Sequence, residues 1–302
     1  MRIISLLISF IFALGLTPAF AEQPKAKIPG CKTPVNSVDG ILYPKGKVGI
    51  IFKHVSLDKD TLYDGDDKVA STKEKEIRKT VLAIRYGLID NLELKLKVPY
   101  VDLDLTRSPS TPIENSGLGD IILHTRYQFL SQKRGDKFFM FGGLGIKMPT
   151  GETDATTNGI QDPSTMLTGS GSWDPSIDMG ITKALGKFKL NSYLSYTFTT
   201  EGDNDYEWGD TLLADVSAVY DFNKYLDFEL ELNSIWKEKD QKNGLDQNNT
   251  GGNQIYITPG IHFKFLKKSH FALGVPITIH RDLHGRQLSD DYRIVAKLAF
   301  VF

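Results

Sequence analysis

Leu92-Glu93-Leu94-Lys95-Leu96-Lys97-Val98-Pro99-Tyr100 decides the fold of this chain. Its apolar residues fall at every second position, with Glu93, Lys95 and Lys97 between them. A strand separates the two sets onto opposite faces, whereas a helix scatters them around its circumference. The same period governs 226–236. There Leu226, Phe228, Leu230, Leu232 and Trp236 oppose Asp227, Glu229, Glu231 and Asn233. It recurs at 121–129, 188–198 and 255–265.

Working outward from these stretches, alternation predicts about twelve strands. They cover 46–57, 76–89, 91–103, 118–130, 137–149, 173–185, 187–200, 210–222, 225–237, 253–266, 269–281 and 291–302. The connections alternate in length. Short turns are expected at 90–91, 131–136, 185–187, 223–224 and 267–269. Longer polar loops are expected at 58–75, 104–117, 150–172, 201–209, 238–252 and 282–290. An even strand number with short turns at one end and long loops at the other is the pattern of outer-membrane barrels. The fold class predicted is therefore all-β: a transmembrane antiparallel up-and-down β-barrel following a cleaved signal peptide. The last strand supports this reading. Tyr292, Ile294, Ala296, Leu298, Phe300 and Phe302 alternate to the end of the sequence. Pairing of this strand with the first would leave no free edge. Phe302 is expected to present the C-terminal signal that barrel-assembly machinery reads.

Composition agrees. The 302 residues carry 36 Lys and Arg against 37 Asp and Glu, so a net charge of −1 gives no reason to expect a nucleic-acid partner. Mean hydropathy is −0.23. That is too polar for a helical bundle but compatible with a barrel, which needs apolar residues on one face only. At the N-terminus, Arg2, the apolar run Ile3 to Leu16 and Ala19-Phe20-Ala21 predict a signal peptide at 1–21. The run is too short for a spanning helix, which takes about 20 residues. Residues 22–45, rich in Pro and Lys, are expected to be a periplasmic lead-in or a small plug, and 46–302 the barrel. Cys31 stands alone, so no intrachain disulfide can form.

With apolar side chains on lipid, the polar face lines the lumen. The pore-lining candidates are Glu93, Lys95, Lys97, Asp120, His124, Arg126, Lys147, Asp178, Asp215, Asp227, Glu229, Glu231, His262, Lys264, Arg293 and Lys297, with His280 read on the same face. Such charges are costly inside a soluble core. In a barrel they pair across strands or meet water. Twelve strands lie between the filled interior of eight and the open channel of 16 to 18. A narrow interior of mixed sign, held by a salt-bridge lattice, is expected, without strong ion selection.

Three stretches carry a family likeness. Gly117-Leu118-Gly119-Asp120 opens a strand, Lys147-Met148-Pro149-Thr150-Gly151 ends another, and Gly171-Ser172-Trp173-Asp174-Pro175 starts the next. In this order the chain resembles the outer-membrane proteins of the "meta-pathway of phenol degradation" family. The resemblance implies a porin-like channel in the outer membrane of a Gram-negative cell, passing small organic compounds, aromatic or hydrophobic ones included. It implies no catalytic residues. The motif residues Gly117, Gly119, Asp120, Pro149, Thr150, Gly151, Trp173 and Asp174 are read as shaping the barrel where loops enter strands.

Two other readings stand beside the channel. One is a structural or adhesive barrel whose acidic loops bind an outside partner or, through divalent ions, lipopolysaccharide. The other is a phospholipase-type hydrolase built on His54-Val55-Ser56, whose spacing would let the imidazole take the hydroxyl proton. The residues that follow, Leu57-Asp58, depart from that family's pattern. No histidine spacing matches a metal site, no phosphate-cradling glycine loop is present, and no cofactor is expected.

Overall fold

The computed structural model describes residues 33–107, 110–266 and 268–302. The expected signal peptide, Cys31 and Lys267 lie outside them. Twelve barrel strands follow in order: β1 Val48–Lys59, β2 Lys73–Ile89, β3 Leu92–Arg107, β4 Ile121–Leu130, β5 Phe139–Met148 and β6 Asp174–Leu185. They continue as β7 Phe188–Thr197, β8 Thr211–Asp221, β9 Leu226–Lys237, β10 Gly252–Phe265, β11 Ser269–Gly274 and β12 Arg293–Val301. Each pairs antiparallel with its sequence neighbours, and β12 returns to β1. The closing register sets Val55 against Val295 and Phe52 against Leu298, and Phe302 N–H donates to the Val48 carbonyl at 2.9 Å. Closure pairs the last strand with the first, as a bilayer demands, because unpaired backbone groups find no water there.

Exposure inverts the order of a soluble protein. On β9, Leu230 is 52% exposed, while Glu229 and Glu231 beside it are 5% and 1% exposed. The outward set is predominantly apolar and bracketed by aromatics. Tyr86, Phe129, Phe188, Tyr225 and Phe265 lie toward the short turns; Tyr100, Trp173, Phe198 and Tyr292 lie toward the long loops. Two such girdles flanking an apolar band are the mark of a membrane barrel. The protein is accordingly an integral outer-membrane β-barrel. Among the described residues no helix is long and apolar enough to cross a membrane, which says nothing against strands that do.

Several segments expected as polar loops carry short strands, among them Thr61–Asp64, Asp67–Val69 and Arg286–Ser289, and two further departures bear on the barrel wall. The segment 104–117, expected as a polar loop, is strand. β3 runs on to Arg107 and pairs with Ser110–Leu118, so this hairpin stands beyond the neighbouring strands. The reason is apolar: Leu103 and Leu105 turn inward onto Met166, with Ile77, Val101, Ile113 and Leu288 around them. The second departure is His280, which is exposed rather than inside. After Gly274 the line of β11 breaks at Val275-Pro276 and resumes as Ile277–Leu283. There Tyr256 faces Thr278 but Ile255 faces His280, skipping Ile279. One extra residue at a bulge reverses the parity of all that follows.

Replacing Leu230 by Arg should destabilise the barrel by about 2–4 kcal/mol if the position sits near the bilayer midplane. Equilibrium unfolding in lipid vesicles reads this; an unchanged midpoint would mean that this face does not meet lipid.

Candidate functional site

Residues 33–43 run inside the barrel near its short-turn end. A peptide that joins no sheet must have its donors and acceptors answered by side chains. The lumen supplies them. Val35 N–H donates to Glu229 Oε2 at 2.9 Å, Asn36 N–H to Glu231 Oε1 at 2.8 Å and Ser37 N–H to Glu231 Oε2 at 2.9 Å. Gly40 N–H donates to Thr182 Oγ1 at 2.7 Å and Tyr43 N–H to Glu93 Oε2 at 3.0 Å. Carbonyls are answered by cations and an amide. Arg85 donates to Ile41 O, Gln128 to Gly40 O, and Lys297 to the carbonyls of Thr33 and Pro34. Asp39 sits between Arg85 and Lys189, at 3.9 and 3.6 Å.

Apolar contacts fix the two ends. Val35 packs with Ala272 and Val295, and Leu42 with Phe141 and Tyr193. The wall is cut away to fit. A Cβ on Gly49 would fall 2.1 Å from the Tyr43 ring, and one on Gly87 would fall 2.1 Å from the Pro44 carbonyl oxygen. A side chain at Gly87 would push against the segment's backbone, and one at Gly49 would displace the Tyr43 ring.

Above this segment the lumen opens into a cavity of about 490 Å³. Its lining is sorted by charge. Lys53, Lys79, Arg85, Lys95, Lys97, Arg293 and Lys297 reach it, and no carboxylate does. Between them lie Ile51, Val55, Val81, Pro99, Ile122 and Leu213. The apolar cluster around Leu103, Leu105 and Met166 lies beyond the cavity, toward the long loops. Within a lumen of mixed sign the charges are sorted: the acidic row of β9 is turned to the N-terminal segment, and the basic wall of β1 to β3 faces the space.

The remaining candidates fall into pairs. Arg126 is clamped on Asp178, with Nε at 2.9 Å, Tyr193 hydroxyl donates to the same carboxylate at 3.1 Å, and His124 stands 3.7 Å away. Lys264 bridges Asp221 and Asp227, His262 meets Glu229 at 2.7 Å, and Asn233 donates to Asp215. Arg293 pairs with Asp290 and lies over the Tyr256 ring. Alternation missed Lys53, Lys79 and Arg85, although the period was present. Lys79, Val81, Ala83, Arg85 and Gly87 share one face of β2. His54 and Ser56 lie on the outward parity of β1, where His54 Nδ1 meets Thr80 Oγ1 at 2.9 Å.

The three motif stretches converge at the long-loop end. Asp120 accepts from Thr150 N–H and Gly151 N–H through one oxygen, and from Ser170 N–H and its hydroxyl through the other. Lys147 bridges Asp120 and Asp174, and Thr200 N–H caps Asp174 at 3.1 Å. Gly151 and Gly169 touch backbone to backbone, so a Cβ on Gly151 would fall 2.5 Å from the Gly169 Cα. These bonds pin both ends of the loop that carries Met166 over the mouth, and Asn115 holds its tip through Asp162 and the Met166 carbonyl. The adjoining loop has a similar anchor in Asp210. Burial pushes that carboxyl up, but bonds from the Thr199 amide, the Tyr196 hydroxyl and the Thr199 hydroxyl prevail and hold it below its ordinary value. Among the described residues no cluster could hold a metal ion.

A family model described as "Putative MetA-pathway of phenol degradation" matches residues 66–286. The chain belongs to this family. Those residues hold all three motif stretches. The COG4313 outer membrane channel from Pseudomonas putida F1 superposes with a TM-score of 0.70 at 17% identity, covering 89% of this chain and 100% of that one. This shows a shared fold. The toluene transporter TodX of P. putida gives 0.45 at 8% identity, over 86% of this chain and 90% of that one. The β domain of the Bordetella autotransporter BrkA gives 0.48 at 7% identity, over 84% and 100%. A comparison with curated protein sequences found no match.

Replacing Asp120 by Ala leaves four donors of the Thr150–Ser170 loop without their acceptor. Hydrogen exchange in that loop should rise while exchange in β9 stays unchanged. Stability should fall by about 1–3 kcal/mol for the buried donors left unmade. A loop that stays protected would show that the motif does not act as this clamp.

Proposed function

We propose that the protein is a passive outer-membrane channel for small organic solutes, narrowed by its own residues 33–43. The observation that carries this reading is the cavity of about 490 Å³ in the lumen, floored by residues 33–38 of that segment and walled by β1 to β3. Ligand pockets commonly measure about 300–1,000 Å³. A barrel made only to anchor or adhere has no use for such a space along its axis. Membership of a family described by phenol degradation agrees with an organic solute.

The route runs from the apolar cluster at the long loops, through the basic cavity, to the segment above the short turns. Nothing in it requires an energy source; the gradient of a consumed solute suffices. The segment can act as a gate because its anchors are side chains rather than a sheet ladder. The carboxylates of Glu229 and Glu231 take three of its backbone donors. Phenolic and monoaromatic solutes fit the lining as a class, since apolar walls meet the ring and lysines meet a polar substituent.

Glu229→Gln combined with Glu231→Gln weakens those anchors while keeping side-chain volume. In planar bilayers the double variant should give larger or more frequent conductance steps than the parent, and deletion of residues 33–43 should give larger steps still. A folded barrel that stays silent in all three forms would overturn the channel reading.

A further inference from the structure

The basic wall is more than a share of the lumen's charge. Four of its seven cations are committed. Arg85 is paired with Glu93, Arg293 with Asp290, Lys297 with the carbonyls of residues 33 and 34, and Lys53 with Asn36. The other three are Lys79, Lys95 and Lys97. Among the described residues none of them has a hydrogen bond or ion pair. They stand on adjacent strands. Lys95 and Lys97 share a face of β3, with Arg85 and Ala83 opposite them, and Lys79 lies further along β2.

Like charges gathered on neighbouring strands repel and destabilise a sheet. In a barrel whose other lumenal charges are so thoroughly paired, three uncommitted ammonium groups on one wall form a site for an anion. Val81 and Pro99 lie beside them on the same strands, and Val55, Ile122 and Leu213 complete the lining; none of these holds a hydrogen-bond donor in its side chain. A free inorganic anion would leave these walls against water. An anion with an apolar body satisfies both halves of the cavity.

We infer that the cavity is a binding site for small organic carboxylates with an apolar body, the carboxylate on Lys79, Lys95 and Lys97 and the body against Val81, Pro99 and Ile122. This rests on the channel reading and names its solute class. Charge-assisted bonds from a partly dehydrated ammonium are stronger than neutral ones. The site therefore favours the acid over its neutral or cationic analogue of equal shape. Weak three-point capture also suits conduction, which needs binding tight enough to enter and loose enough to leave.

The test is isothermal titration of the folded full chain in detergent, with sodium benzoate, benzyl alcohol, benzylammonium and sodium acetate as probes. Benzoate should bind at least about tenfold tighter than benzyl alcohol, a ratio that one charge-assisted bond supplies. Acetate should bind more weakly than benzoate for want of a body, and benzylammonium should give no heat. Lys95→Gln with Lys97→Gln should bring benzoate down to the level of benzyl alcohol, with the circular dichroism of the barrel unchanged. Equal binding of benzoate and benzyl alcohol by the unmodified chain overturns the inference, whether or not the variant folds. So does benzoate binding that survives the double substitution.

Solute flux into vesicles separates this from the channel reading. Benzyl alcohol passing as fast as benzoate leaves a channel but removes the anion site. Benzoate bound by a chain that passes no solute keeps the site and removes the channel.

Discussion

The arrangement of the lumen depends on one constraint: a peptide lying inside a barrel without joining its sheet must find partners for every backbone group. Buried amides left unanswered each cost about 1–3 kcal/mol. Residues 33–43 meet much of that demand with Glu93, Glu229 and Glu231 for N–H groups, and Arg85, Gln128 and Lys297 for carbonyls. The acidic row that looks, in isolation, like a cation path is therefore the segment's cradle. Once it is used there, the opposite wall is left with an excess of positive charge, and the cavity takes its sign from what the segment does not consume.

That division of labour explains why lumenal charges are so often in groups of three or more. Arg85 serves Glu93, Asp39 and the Ile41 carbonyl together. Lys264 serves Asp221 and Asp227. A buried pair barely offsets the desolvation of its members unless further bonds complete them. Additional partners, supplied by the threaded segment or by the next strand, make the lattice tolerable. The lattice in turn ties the strands together near the short turns, while the long-loop end is shaped by the Asp120 clamp and by apolar packing around Met166.

Much of this was legible in the sequence. The alternation at 92–100 and 226–236 is a local property, so strand number, order and closure follow from reading along the chain. The inner face of β9 was likewise predictable from Asp227, Glu229 and Glu231. What each of those residues touches was not. Val35 and Glu229 are separated by 194 residues, and nothing in either neighbourhood marks the other. The bulge that turns His280 outward was hidden as well, because Ile277, Ile279 and Arg281 continue a plausible alternation across it. Lys79 and Arg85 carried a usable signal, since period two places them with Val81 and Ala83. Val81 and Ala83 on that face obscured it, since its polar residues do not alternate without interruption.

The motif stretches show why a family pattern can persist without touching a solute. Asp120 needs four donors from two loops, and each donor is a backbone or hydroxyl group whose position follows from Pro149-Thr150-Gly151 and from Gly169-Ser170-Gly171. Exchange any one of these and the others lose their geometry, because Gly151 and Gly169 are already in backbone contact. The cavity wall is free of this coupling: Lys79, Lys95 and Lys97 stand on regular strand and bond to nothing that holds the fold. A barrel built this way can keep its mouth and its gate constant while the residues facing the solute change one at a time. Family membership then identifies the mouth, and the lining has to identify the solute.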